Sequence, residues 1–186
     1  SVTLCTVGFT TNIRRLLETK GDDISPLSGR ELVAKKVKAW YQMGGVLPKG
    51  LECNLRMDAE SSSIALRDFP RPVYLVDFNL GVDVYTGLPV AEKGIENGPV
   101  SEAFIRCFTV WNERRRGRPS WDEITVLAAV RGWERDFTLE SGTITVDAVS
   151  GSNFWVKAES GRHNVLVEKT PKARLREIID ELMARE

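Results

Sequence analysis

Val2-Thr3-Leu4-Cys5-Thr6-Val7-Gly8, followed by Phe9-Thr10-Thr11-Asn12-Ile13, is the stretch whose reading decides the fold. The β-branched run Val2 to Val7 reads as a strand and Gly8 as a tight turn. Thr10-Thr11-Asn12 then reads as the cap of a helix, with Ile13, Leu16 and Leu17 at helical spacing. Past the polar loop Lys20 to Pro26, Ser28 caps a second short helix from Gly29 to Lys36, with Leu32 and Val33 inward. Val37 to Met43 is strand-like again and closes on Gly44-Gly45. Strand, helix, strand is the unit of a parallel sheet, so the expected class is α/β with a mostly parallel, Rossmann-like sheet. Ligands of such sheets bind outside the carboxyl ends of the strands. That rule directs attention to Val7-Gly8-Phe9-Thr10 and to the residues after Gly44-Gly45.

The next residues of note are Leu51-Glu52-Cys53-Asn54-Leu55, a Glu-x-Asn whose polar side chains share one face if the segment is extended. Asp58 caps a helix running to Arg67, and Val73 to Val76 is a third strand. Gly81 to Gly98 is loop-rich, a lid or a connection, and Val100 to Arg116 reads as a long helix. Pro119-Ser120-Trp121-Asp122-Glu123 then opens the apolar run Ile124 to Val130. Here Ser120 is the expected N-cap, Glu123 its capping-box partner, and Pro119 keeps the preceding chain extended. Asp122 in the first turn suits a metal ion and Trp121 suits a stacked ring; the same pair also suits the helix dipole and the core.

From Phe137 the texture changes to short β stretches, Thr143 to Val146, Phe154 to Val156 and Val165 to Val167. A final helix has Thr170 as its cap and Pro171 at N1, with Leu175, Ile178, Ile179 and Leu182 on one face. With no repeat, low-complexity tract or linker, residues 1–186 read as one domain.

Composition narrows the classes. Lys+Arg and Asp+Glu balance at 26 each, so no global field favours nucleic acid or an anionic membrane. The basic cluster Arg114-Arg115-Arg116-Gly117-Arg118 suits a solvated helix end. No window approaches the roughly 18 to 20 apolar residues of a membrane span, and no signal peptide is evident. Cys5, Cys53 and Cys107 lie far apart without metal-binding spacing, which implies buried thiols in a reducing, cytoplasmic setting. The single histidine, His163, beside Gly161-Arg162, reads as an exposed turn residue. The chain opens on a strand and without Met, which suggests a cut or processed N-terminus.

Several of these pieces, in this order, resemble the nucleoside hydrolase family, the calcium-dependent N-ribohydrolases of the inosine/uridine-preferring type. Val7-Gly8-Phe9-Thr10-Thr11-Asn12-Ile13 is similar to the family's Gly-x-x-Thr-Asn turn, and Met43-Gly44-Gly45 to its Met-Gly-Gly strand end. Glu52-Cys53-Asn54 with Asp58-Ala59-Glu60 resembles its Glu-Phe-Asn and Asp-Pro-Glu-Ala segment, and Trp121-Asp122 its Trp-Asp or His-Asp pair. The match continues through Gly142 to Val146. The resemblance implies cleavage of the N-glycosidic bond of ribonucleosides. It implies Val7, through its backbone carbonyl, and Asp122 as calcium ligands. Glu52 and Asn54 would hold the ribose hydroxyls near an oxocarbenium-like state, and Trp121 would stack on a purine base.

The resemblance also implies what this chain does not carry. The family's leading Asp-x-Asp-x-Gly-x-Asp-Asp cluster, source of most calcium ligands and of the general base, has no counterpart; Asp22-Asp23 lies in a polar loop after a helix. Asp77-Phe78-Asn79-Leu80-Gly81 stands where relatives carry Gly-Phe-Glu-Ile-Gly, and Val46 to Gly50 is a short link. The expectation is therefore the C-terminal part of such a domain, its sheet incomplete at the N-terminus and by itself inactive. A complementary N-terminal chain would complete it, and a homo-oligomer is the other expected assembly. The alternative is a non-catalytic binding or structural module of the same fold.

Overall fold

In a computed structural model, residues 1–94, 96, 98–111 and 116–184 are described. In chain order the elements are β1 (Val2–Thr6), α1 (Thr11–Glu18), α2 (Gly29–Lys36), β2 (Val37–Met43), β3 (Lys49–Gly50), α3 (Cys53–Arg56), α4 (Ala59–Asp68) and β4 (Val73–Val76). There follow α5 (Phe78–Gly81), β5 (Tyr85–Thr86), α6 (Leu88–Glu92), α7 (Pro99–Trp111), β6 (Arg118–Pro119) and α8 (Trp121–Arg131). The chain ends with β7 (Phe137–Val146), β8 (Asn153–Lys157), β9 (His163–Glu168) and α9 (Lys172–Met183).

The central sheet has the order β1-β2-β4-β9-β7-β8-β3. Strands β1, β2, β4 and β9 are parallel, and β7, β8 and β3 extend the sheet in antiparallel fashion. The β-rich C-terminal texture thus joins the sheet that the βαβ unit begins.

Alternation along the strands divides the core in two. Trp40 on β2, Val73 and Leu75 on β4 and Val165 on β9 face one layer, with Ile13 of α1, Val33 of α2 and Leu66 of α4. Their neighbours Tyr41, Val76 and Leu166 face the other, with Leu80 of α5, Ile124 and Leu127 of α8 and Leu175 and Ile179 of α9. Both faces are covered by helices, so the inner parallel strand β4, Val73-Tyr74-Leu75-Val76, carries apolar residues on both of its faces. β1 is the sheet edge, and the apolar residues Val2, Val7 and Phe9 there remain exposed.

Helix starts follow the sequence in part. Ser28 and Glu31 form a complete capping box on α2, and Asp58 accepts from the Ser61 N–H at the head of α4. Three expected caps do not form. The Thr10 hydroxyl at the head of α1 pairs instead with Ser62, 2.8 Å away and buried. Ser120 and Glu123 make no capping box, because the small ribbon of β5 and β6 brings the Ser120 hydroxyl 2.5 Å from that of Thr86. Thr170 donates to Asp136, and α9 starts one residue later than expected, with Pro171 at the cap position. In each case a tertiary hydroxyl partner displaces the local one.

Three further expectations are corrected. His163 is not an exposed turn residue: it lies on β9, 2% exposed, with Nδ1 accepting from the Ile144 N–H at 3.2 Å and Nε2 3.0 Å from the Leu66 carbonyl. The thiols are not all buried, since Cys5 on the edge strand and Cys53 at the start of α3 are exposed and Cys107 is half-buried. The stretch Gly81 to Gly98 is not simply loop, for β5 and α6 lie within it. The expected helix to Arg116 is seen as α7 to Trp111; residues 112–115, with Arg114 and Arg115 of the basic cluster, lie outside the described residues. No helix of the described residues is long and apolar enough to cross a membrane.

Candidate functional site

Parallel strands β1, β2 and β4 end side by side at Thr6, Met43 and Val76, so the segments that follow them share one edge of the sheet. Val7 follows β1, Gly44-Gly45 follows β2, and Asp77-Phe78 follows β4. The Phe78 N–H donates to the Gly45 carbonyl at 2.8 Å and the Gly44 N–H to the Val76 carbonyl at 3.0 Å, tying two of these segments together. Below them the fully buried Gln42 amide donates to the Gly8 carbonyl at 3.1 Å, which fixes the turn after β1. The edge is built by main-chain geometry before any functional side chain is considered.

A cleft of about 450 Å³ opens there. Val7, Glu52, Asn54, Trp121 and Asp122, five positions spread over more than a hundred residues of sequence, all line it. Glu52 and Asn54 do not share a face of an extended segment. Glu52 is the N-cap of the single-turn helix α3, and its carboxylate accepts from Asn54 N–H at 2.9 Å, Leu55 N–H at 3.1 Å and Gly45 N–H at 3.3 Å. A helix start with orphan N–H groups draws a carboxylate, and here that preference outweighs extended backbone.

Both polar side chains are held before any ligand arrives. Main-chain donors take up most of the acceptor positions that a carboxylate offers, so Glu52 is fixed in place by the segments around it. The Asn54 amide nitrogen lies 3.2 Å from both the carbonyl and the sulfur of Met43, and Asn54 lines the cleft. Burial pushes the Glu52 carboxyl up, and its backbone donors pull it down. Asp122 is also pushed up, first by the surrounding protein and then by the charge of Glu52, while Arg118 opposes both. Two carboxyls that sense each other mark this part of the cleft as electronegative.

The other wall is aromatic. Phe78 stacks on Trp121 with ring centroids 5.2 Å apart and planes at 29°. The Trp121 indole N–H donates to the Phe78 carbonyl at 2.9 Å. Arg118 stands 6.0 Å from the Trp121 ring centroid and 5.4 Å from that of Trp111. Phe78 and Met43 line the cleft as well, although the sequence assigns neither of them a role in the site. The signal was available: the rule that directs attention to the carboxyl ends of β1 and β2 applies equally to β4, whose next residues are Asp77-Phe78.

The donor set does not by itself make a calcium site. Calcium takes about six to eight oxygens. The Asp122 carboxylate and the Val7 carbonyl supply at most three between them, and the Glu52 oxygens are largely taken by backbone N–H groups. Among the described residues no group of three or more His, Cys, Asp or Glu side chains converges on one point.

An open α/β sheet with a cleft at its carboxyl edge, polar on one wall and aromatic on the other, defines a small-molecule binding fold. Solved structures with the same fold include a plant nucleoside hydrolase, with TM-score 0.70 and 19% identity over 99% of this chain and 62% of that one. An inosine-guanosine nucleoside hydrolase matches with TM-score 0.67 and 19% identity, over 97% of this chain and 60% of that one. A protein described as an effector matches with TM-score 0.64 and 15% identity, over 97% and 59%. The mixed α/β fold with its C-terminal helix is therefore that of the nucleoside hydrolases, and the chain spans about 60% of the length of the structures it matches. No family model matches the sequence, and a search of curated proteins gives no match.

Proposed function

We propose that the cleft binds a ribonucleoside and that the chain serves a nucleoside hydrolase-like function, cleavage of the N-glycosidic bond. The observation that carries this reading is the convergence of Val7, Glu52, Asn54, Trp121 and Asp122 in one cleft. Glu52 and Asn54, neighbours in the cleft lining, suit two vicinal hydroxyls. The Glu52 and Asp122 carboxyls line the same cleft, and in this reading they would face the positive charge of an oxocarbenium-like sugar. An aromatic wall beside that position takes the base by stacking.

Purine nucleosides are the substrates this reading favours, on the strength of the stacked Phe78 and Trp121 rings in the cleft. The chain's own groups provide binding and electrostatic stabilisation, and the further calcium ligands and the base belong, in this reading, to a complementary polypeptide. The exposed edge of β1 is the natural place for such a strand to pair.

Equilibrium dialysis of inosine and of ribose against the chain, with calcium present, tests the reading. Both are expected to bind, and Asn54→Ala is expected to weaken both by about tenfold, the worth of one good hydrogen bond left unmade. No binding of either would overturn it. A second reading, a binding module without catalysis, is favoured by the effector that shares the fold and by the incomplete calcium donor set; it predicts binding but no release of free base under any condition that supplies a partner.

A further inference from the structure

Trp121 is the residue that the family resemblance assigns to base stacking, yet its ring is heavily engaged within the protein. Its indole N–H is spent on the Phe78 carbonyl, the Phe78 ring stacks on it, and Arg118 stands over it. Gly81 approaches so closely that an added Cβ would lie 2.5 Å from Trp121 Cδ1 and 2.8 Å from Trp121 Cα. Trp121 is thereby held in place by its neighbours. The ring stacked on it belongs to Phe78, and both residues are half-buried and line the cleft.

Phe78 is itself held from both sides of the chain. Its N–H is bonded to Gly45, and the preceding Asp77 carboxylate accepts from the Asn79 and Leu80 N–H groups at 3.2 Å each. Asn79 in turn donates to the Leu47 carbonyl at 3.1 Å. The turn after β4 is thus pinned to the segment after β2, the same segment that positions Glu52 through the Gly45 N–H. The sugar grip and the aromatic wall share one rigid frame.

We infer that Phe78 is the specificity-determining residue of this cleft, its ring stacking on the nucleobase while Trp121 acts as a positioning residue stacked against it. The inference rests on the nucleoside reading and adds a consequence. Neither ring offers the base a hydrogen bond, since Phe78 has no polar atom and the Trp121 N–H is occupied. This wall therefore reads ring area and not the pattern of base substituents: it separates purines from pyrimidines, and it treats inosine, guanosine and adenosine alike.

Calorimetric titration of the chain with inosine, uridine and ribose tests this, using wild type, Phe78→Leu and Phe78→Tyr. Phe78→Leu keeps apolar volume and removes the ring; Phe78→Tyr keeps the ring and controls for folding. The expected result is a loss of about tenfold in inosine affinity for Phe78→Leu, within the usual worth of one stacked base, with ribose affinity unchanged and Phe78→Tyr close to wild type. Inosine is also expected to bind wild type more tightly than uridine, and that preference to shrink in Phe78→Leu. If wild type binds inosine and Phe78→Leu binds it equally well, the role of Phe78 is refuted while the nucleoside site stands. If wild type binds neither inosine nor ribose, both fall together.

Discussion

Replacing Glu52 by Ala probes the frame of the cleft without reference to any ligand. The Glu52 side chain is 5% exposed and accepts three backbone N–H groups, those of Asn54, Leu55 and Gly45. Loss of an N-cap costs about 1 kcal/mol. The Gly45 and Leu55 donors would be left without partners in a buried setting, at about 1–3 kcal/mol each where water cannot reach them. Against this stands relief from burying a carboxylate, which the upward push on its pKa shows to be a real cost. The balance is a loss of about 2–3 kcal/mol. With a urea dependence of about 2 kcal/mol per molar, the unfolding midpoint should fall by roughly 1–1.5 M at unchanged slope. Glu52→Gln, which keeps the volume and one acceptor but turns an amide N–H toward a donor, should lose about half as much. A midpoint for Glu52→Ala within about 0.2 M of wild type would refute the reasoning, because Glu52 would then be a surface acid and not the keystone between α3 and Gly45.

Two further outcomes follow from the packing. His163 is buried and neutral, its pKa pushed down first by burial, with the Leu66 carbonyl opposing. Below about pH 6.5 the unfolded chain binds a proton that the folded chain refuses, so this group's contribution to stability is present above that pH and lost as pH falls toward the lowered folded pKa. Urea midpoints at pH 7.5 and 5.5 should show wild type losing stability relative to His163→Gln by at most about 1.4 kcal/mol per pH unit, and a constant difference between the two proteins would count against it. Gly81→Ala places a Cβ within 2.8 Å of the Trp121 main chain, which α8 cannot yield cheaply. A loss of about 2 kcal/mol or more is expected by urea unfolding, together with weaker inosine binding and unchanged ribose binding; unchanged inosine binding would detach Trp121 from the base wall.

Much of the fold is legible in the sequence because the strong signals are local. Val2 to Val7, Gly8 and the Ile13-Leu16-Leu17 spacing give strand, turn and helix, and the largely apolar stretches Val37 to Met43 and Val73 to Val76 read as the strands that they form. The expected residues also meet at one edge, since the carboxyl ends of parallel neighbours must lie together. What the sequence does not disclose is long-range competition for polar groups. The hydroxyls of Thr10, Ser120 and Thr170 look like caps and are claimed by Ser62, Thr86 and Asp136 from elsewhere in the chain. His163 looks exposed between Gly161-Arg162 and Asn164, yet its partners Ile144 and Leu66 are supplied by a neighbouring strand and a distant helix. Glu52 and Asn54 look like a strand pair, and the geometry of α3 becomes visible only when Gly45 and Met43 come into reach.

The most direct test of the nucleoside cleft uses a reporter that the protein already carries. Cys53 is exposed and lines the cleft between Glu52 and Asn54, while Cys107 lies on α7 and does not line it. Alkylation of each thiol, followed by peptide mass spectrometry, would be timed with and without saturating inosine. Protection of Cys53 with an unchanged rate at Cys107 is the predicted result. Equal rates at Cys53 in the presence and absence of inosine would contradict the claim that nucleosides bind here.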